Sequence, residues 1–120
     1  MAGFQGSFAN VPRRAGAARK AVVDCAGEYF SAQAVAAIEA AVGEVLASSA
    51  RLGYRTAPLV NINASLDDSA AFTVEISDGI APPHGRGMRI IHELMDRVEY
   101  LESERCVRLT KFLTYGTIRI

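Results

Sequence analysis

Asp78 closes a run that alternates apolar and polar residues, and Gly85-Arg86-Gly87-Met88 opens a stretch of helical periodicity six intervening residues later. That layout sets a carboxylate at the end of a strand and a glycine pair at the mouth of a helix. Glycines let the main chain come close to a phosphate, and a helix start offers unpaired N–H groups with a favourable dipole. The chemistry these residue types could do together is therefore phosphate or nucleotide binding. Gly-x-Gly alone fits a tight turn equally well. The order strand, Asp, loop, glycine pair, amphipathic helix is what favours a phosphate site.

The elements that must position these residues can be read from the periodicity. Gly3 to Asn10, with Phe4 and Phe8, reads as an edge strand. Asn10 is the expected cap of a first helix with Pro12 in its first turn, and Ala18, Val22, Cys25 and Tyr29 give it one apolar face. Ser31 is the expected cap of a longer second helix, with Val35, Ile38, Val42, Val45, Ser49 and Leu52 inward and Gly53 at its end. Val60, Ile62, Ala64 and Leu66 then alternate with Asn61, Asn63 and Ser65. A turn at Asp67-Asp68-Ser69 leads into Phe72, Val74 and Ile76, completing a hairpin. A third helix follows Gly85, with Met88, Ile91, Met95 and Val98 as its buried face. A second hairpin has strands near Val98 to Glu102 and Cys106 to Phe112. The tail, Gly116 to Ile120, either adds a short strand or hangs loose. The expectation is an α+β two-layer sandwich, a mixed sheet covered on one face by three helices, in one domain over residues 1–120 with its core at about 10–113.

Composition narrows the functions. Thirteen basic and thirteen acidic residues balance to zero net charge, so no field is expected that would gather nucleic acid or anionic membrane non-specifically. The cluster Arg13, Arg14, Arg19 and Lys20 reads as a solvated helix face. Cys25 and Cys106 lie far apart without metal-like spacing, and His84 and His92 do not complete a ligand set with them. His92 beside Ile91, with no helical hairpin before it, reads as a surface or half-buried histidine. No apolar run has the length of a membrane span or signal segment, and a reducing cytoplasm is the expected location.

Residues 12–112 resemble the GHKL (Bergerat-fold, histidine-kinase-like) ATPase superfamily, in particular its anti-sigma-factor serine-kinase branch. The likeness is sharpest over His84 to Glu102, which includes Gly85-Arg86-Gly87-Met88 and Leu94-Met95-Asp96-Arg97-Val98. The resemblance implies that Asp78, followed by Gly79, accepts a hydrogen bond from the adenine amino group. It implies that Gly85, Arg86, Gly87 and Met88 form the box over the phosphates. Glu44, within Ala40-Ala41-Val42-Gly43-Glu44, matches the family's catalytic base. Ser48, one turn later on the same helix face, stands where the family has an Mg²⁺-ligating Asn. Gly53-Tyr54 match a pair that often closes that motif. The implied ligands are ATP or ADP with Mg²⁺. The implied partners are a sigma factor, its antagonist and a second copy in a homodimer, with no direct nucleic acid or membrane contact.

Three departures bear on the chemistry. Ser48 offers a hydroxyl where a carboxamide carbonyl is the better metal ligand. Ile80 and Pro82 occupy two places where the family has glycine. The loop Gly79 to His84, stiffened by Pro82 and Pro83, is far shorter than the family's lid. Phosphoryl transfer depends on positioning and charge neutralisation, so these losses weigh more on turnover than on binding. Arg86 and Arg89 could meet phosphate directly and offset part of the loss. The resemblance thus implies an ATP-dependent serine/threonine kinase in partner-switching control of transcription. The alternative is a catalytically degenerate protein-binding module of the same fold.

Overall fold

A computed structural model describes residues 3–52, 58–78 and 85–120. Strand β1 (Gly3–Ala9) leads to helices α1 (Pro12–Ala26) and α2 (Ala32–Leu52). Strands β2 (Leu59–Leu66) and β3 (Ala71–Ser77) follow, then α3 (Arg86–Leu94), β4 (Arg97–Leu101) and β5 (Cys106–Phe112). Expectations at Gly53, Tyr54, Gly79, Ile80, Pro82, Pro83 and His84 lie outside the described residues.

The five strands form one sheet in the order β1-β2-β3-β5-β4, and the layers are those of an α+β sandwich. The sheet is antiparallel at every pairing, which corrects the expected mixed sheet. The reason lies in the last hairpin. The crossover from β3 through α3 leaves β4 parallel to β3, but β5 turns back and inserts between them, antiparallel to both.

Register sorts the side chains by face. Phe4 pairs with Ala64, Ile62 with Ile76, Val74 with Leu109 and Leu109 with Val98, which puts this apolar set on the helix side. There they meet Ala18 and Val22 of α1, Ile38, Ala41, Val42 and Val45 of α2, and Ile91 of α3. Phe30 and Phe72 close this core edge-to-face, ring centroids 5.6 Å apart. Burying either ring contributes about 1.5–3 kcal/mol. The opposite face carries Asn61, Asn63, Thr73, Glu75 and Arg108, and there Arg108 bridges Glu75 at 2.8 Å.

Local signals mostly hold, with informative exceptions. The Ser31 hydroxyl accepts from Ala34 N–H at 3.3 Å, capping α2 as expected. In the β2–β3 turn, Asp67 accepts from the Ser69 N–H and hydroxyl and from Ala71 N–H. These bonds hold the Asp67 carboxyl below its ordinary range, the Ser69 hydroxyl contributing most. Asn10, by contrast, does not cap α1. Val11 is the N-cap, without a side-chain bond, and Asn10 is buried elsewhere. Helix α3 ends at Leu94 rather than continuing through Val98. Met95 is buried but extended (φ −110°, ψ 153°), and Val98 already belongs to β4. The tail is pinned: Ser31 N–H donates to Thr117 O at 2.7 Å and Arg119 N–H to Tyr29 O at 2.8 Å.

Candidate functional site

Asp78 follows directly on Ser77, whose cross-strand neighbours are Asn61 and Cys106. It is half-buried at the end of the central strand, where β2 and β5 begin. Gly85 precedes α3 with φ 65°, a torsion that side-chain-bearing residues rarely adopt. A Cβ there would touch nothing within 4 Å, so the backbone torsion rather than crowding is what calls for glycine. The first turn of α3 holds no acidic residue, and it carries the exposed Arg86 and Arg89. Gly87 and Met88 are half-buried in that turn. A helix start so furnished suits an anion.

The far end of α3 is tied to the other end of the sheet. Lys111 Nζ donates to Leu94 O at 2.6 Å, Asp96 N–H to Thr110 O at 2.9 Å, and Phe112 N–H to Asp96 Oδ2 at 2.7 Å. Helix α3 therefore runs from the Asp78 end of the sheet to the Phe112 end. Helix α2 runs the opposite way. It starts beside the tail pinned after Phe112, and its last turns lie at the Asp78 end, where Asn10 donates to Ser49 O (3.3 Å) and to Pro58 O (3.0 Å).

The two helices pack against each other, and Ala34 and Ala37 share a shallow pocket with Glu93 and Leu94. Ala37, Ala41, Glu44 and Ser48 follow at the spacing of one helix face. The rise of α3 from Leu94 back to Arg86 is about 12 Å, and an equal rise along α2 from Ala37 reaches Val45. Half-buried Glu44 and Ser48 are thus about level with the glycine box, at the same end of the sheet as Asp78. Glu44 itself borders a separate hollow with Arg19, Glu39 and Gly43, on the α1 side of α2.

The profile of the family described as "Histidine kinase-like ATPase domain" matches residues 8–111. The chain belongs to that family. No curated protein matches it. As a histidine kinase-like ATPase domain it is an ATP-binding domain of the GHKL type, and all the candidate residues fall inside the matched span. The cationic, glycine-opened start of α3 fits the phosphates of such a ligand. Among the described residues no group of three His, Cys, Asp or Glu side chains could hold a metal by itself. The Ser48 hydroxyl offers one oxygen, which fits Mg²⁺ only with phosphate and water as its remaining ligands. No described helix is long and apolar enough to cross a membrane.

Two positioning contacts lie outside what the sequence reading named: the Asn10 amide on Ser49 O and the Lys111 ammonium on the last carbonyl of α3. A basic residue on a strand facing a helix end is the one signal that could have pointed to the second.

Proposed function

We propose that this ATPase domain acts as a cytoplasmic regulator of the anti-sigma-factor serine-kinase type. In this reading it binds an adenine nucleotide between α2, the end of β3 and the start of α3, and transfers the γ-phosphoryl group to a serine or threonine of an antagonist protein. The observation that carries it is the antiparallel run of α2 and α3, which brings Glu44 and Ser48 about level with Gly85-Arg86-Gly87-Met88 at the Asp78 end. Asp78 accepts from the adenine amino group, and the backbone at Gly85 and Gly87 lies against the phosphates, with Arg86 beside them. Glu44 takes the proton of the attacking hydroxyl as the phosphoryl group moves to that oxygen and ADP leaves. Mg²⁺, held by the Ser48 hydroxyl with phosphate and water, would supply charge neutralisation for that transfer.

A second reading, a module that binds its sigma-factor and antagonist partners without turning over ATP, draws support from Ser48. Its hydroxyl is a weaker metal ligand than a carboxamide. Calorimetric titration with ATP and with ADP, with and without Mg²⁺, tests the proposal. Micromolar binding that is lost in Asp78→Asn is expected. No heat at millimolar nucleotide would remove the nucleotide half of the reading and leave the binding module.

A further inference from the structure

A hollow of about 360 Å³ opens between α1 and α2. Pro12 and Ala15 of α1 and Leu46, Ala47 and Ala50 of α2 give it apolar walls, and Gly43 lines it as well. Glycine in a helix interior costs about 1 kcal/mol against alanine, and here the missing side chain leaves room. A Cβ at Gly43 would lie 3.6 Å from Arg19 Nη1 and 3.7 Å from Arg19 Cδ, so the Arg19 side chain passes over α2 at that point.

Among the described residues, the charged part of this lining is two arginines and no acid. Arg19 enters from α1. Arg51 enters from the end of α2, and its Nε donates to Ala47 O at 3.5 Å, which turns the side chain back toward Gly43. Arg19 also meets Glu39, but at 3.8 Å and with both side chains about half exposed that pair is weak. An apolar trough bordered by two guanidinium groups is complementary to a molecule with an anionic head and an apolar chain.

Size and relief select the occupant. Ligand pockets run from about 300 to 1,000 Å³, and this hollow lies at the small end. Helix α2 rises about 12 Å from Gly43 to Arg51, a length that an extended chain of about eight to ten carbons spans. A bilayer or a partner helix calls for apolar side chains that stand out from the surface. The exposed large apolar side chains among the described residues, Leu59, Phe112, Tyr115, Ile118 and Ile120, all lie outside α1 and α2. The apolar surface between these helices is recessed, so a ligand must bring its own chain into it.

We propose that this hollow binds a free single-chain anionic amphiphile, a carboxylate on a medium-length alkyl chain. The carboxylate meets the guanidinium groups of Arg19 and Arg51, and the chain lies along Pro12, Ala15, Leu46 and Ala50. Arg19 leaves Glu39 to do so, and Glu39 therefore competes with the ligand. This site does not rest on the nucleotide reading, and a chain that binds no nucleotide would leave it standing.

Calorimetry of the full chain with decanoate tests it. Saturable one-to-one binding is expected, and none with decyltrimethylammonium, which has a chain of nearly the same length and the opposite charge. Arg19→Gln and Arg51→Gln are each expected to weaken decanoate binding by about tenfold, with unchanged far-ultraviolet circular dichroism. Glu39→Gln is expected to tighten it by about two- to threefold, because it releases Arg19. Gly43→Leu sets a branched side chain in the hollow and is expected to abolish binding. Vesicles of anionic phospholipid are expected not to retain the chain. Absence of saturable heat, equal binding of the two amphiphiles, or native affinity in either arginine variant or in Gly43→Leu would overturn the proposal. So would no gain in Glu39→Gln, or retention on the vesicles.

Discussion

The buried side-chain amide of Asn10 donates to the main-chain carbonyl of Ser49, 3.3 Å away. One bond thereby ties the junction of β1 and α1 to the half of α2 that carries Glu44 and Ser48. Asn10→Ala takes away that donor and leaves a void. The expected cost is about 1–3 kcal/mol, seen as a lower urea midpoint with unchanged slope. A domain of this kind holds about 5–15 kcal/mol in total, so the variant stays folded and its nucleotide affinity can still be measured. An unchanged midpoint would mean that the bond contributes nothing.

Ser49 itself points to an opposite prediction. Its hydroxyl is buried with no hydrogen-bond partner among the described residues. A desolvated, unpaired hydroxyl destabilises the fold, and alanine is the better helix former. Ser49→Ala is expected to raise the urea midpoint by the equivalent of about 1 kcal/mol. The main-chain bond from Asn10 survives, because it uses the carbonyl. A lower midpoint would show that the hydroxyl has a partner.

Cys25 and Cys106 are free and buried. Burial pushes both thiols above the ordinary 9.0, with Glu28 adding to the shift at Cys25 and Glu75 and Glu104 at Cys106. Between the ordinary and the raised value the unfolded chain releases protons that the folded chain keeps. This stabilisation is full below pH 9.0 and is lost as pH rises through the folded values. Urea midpoints are therefore expected to fall above that pH, and the fall should be smaller in Cys25→Ala measured against its own neutral-pH midpoint. Equal slopes in the two proteins would discard the thiols as the cause.

The parts of the fold that could be read from sequence are those where one short segment decides its own state. Phe72, Val74 and Ile76 alternate because one face of β3 is buried, and that period needs no knowledge of its neighbours. Gly85 was legible for a torsional reason that is also local. The antiparallel sheet was not, because it depends on β5 slipping between β3 and β4. Asn10 misled because its amide is used by Ser49, far along the chain, and a cap signal cannot register such a competitor. Met95 and Val98 continue the spacing of Ile91 although the helix has ended, since β4 buries on the same side of the sheet. Of the candidate site, the sequence offers residue types and their order. The level of Glu44 and Ser48 relative to the start of α3 is not legible there, because it follows from the opposite runs of α2 and α3.

Ser48 offers the sharpest test of whether metal binds at the proposed site. It is half-buried on the α2 face that continues from Ala37 and Ala41, about level with the start of α3. A hydroxyl holds Mg²⁺ or its water less well than a carboxamide oxygen, and Asn at the same place would reach further by one polar group. Ser48→Asn is therefore expected to tighten ATP binding in the presence of Mg²⁺ by about tenfold, equivalent to about 1.4 kcal/mol. With the metal chelated, no change is expected. The position is not sealed in the core, so the urea midpoint should move by no more than about 0.5 kcal/mol-equivalents. Calorimetry of both proteins with and without chelator separates the terms. Equal gains in the two conditions would assign the effect to the nucleotide, and no gain in either would remove Ser48 from the metal's surroundings.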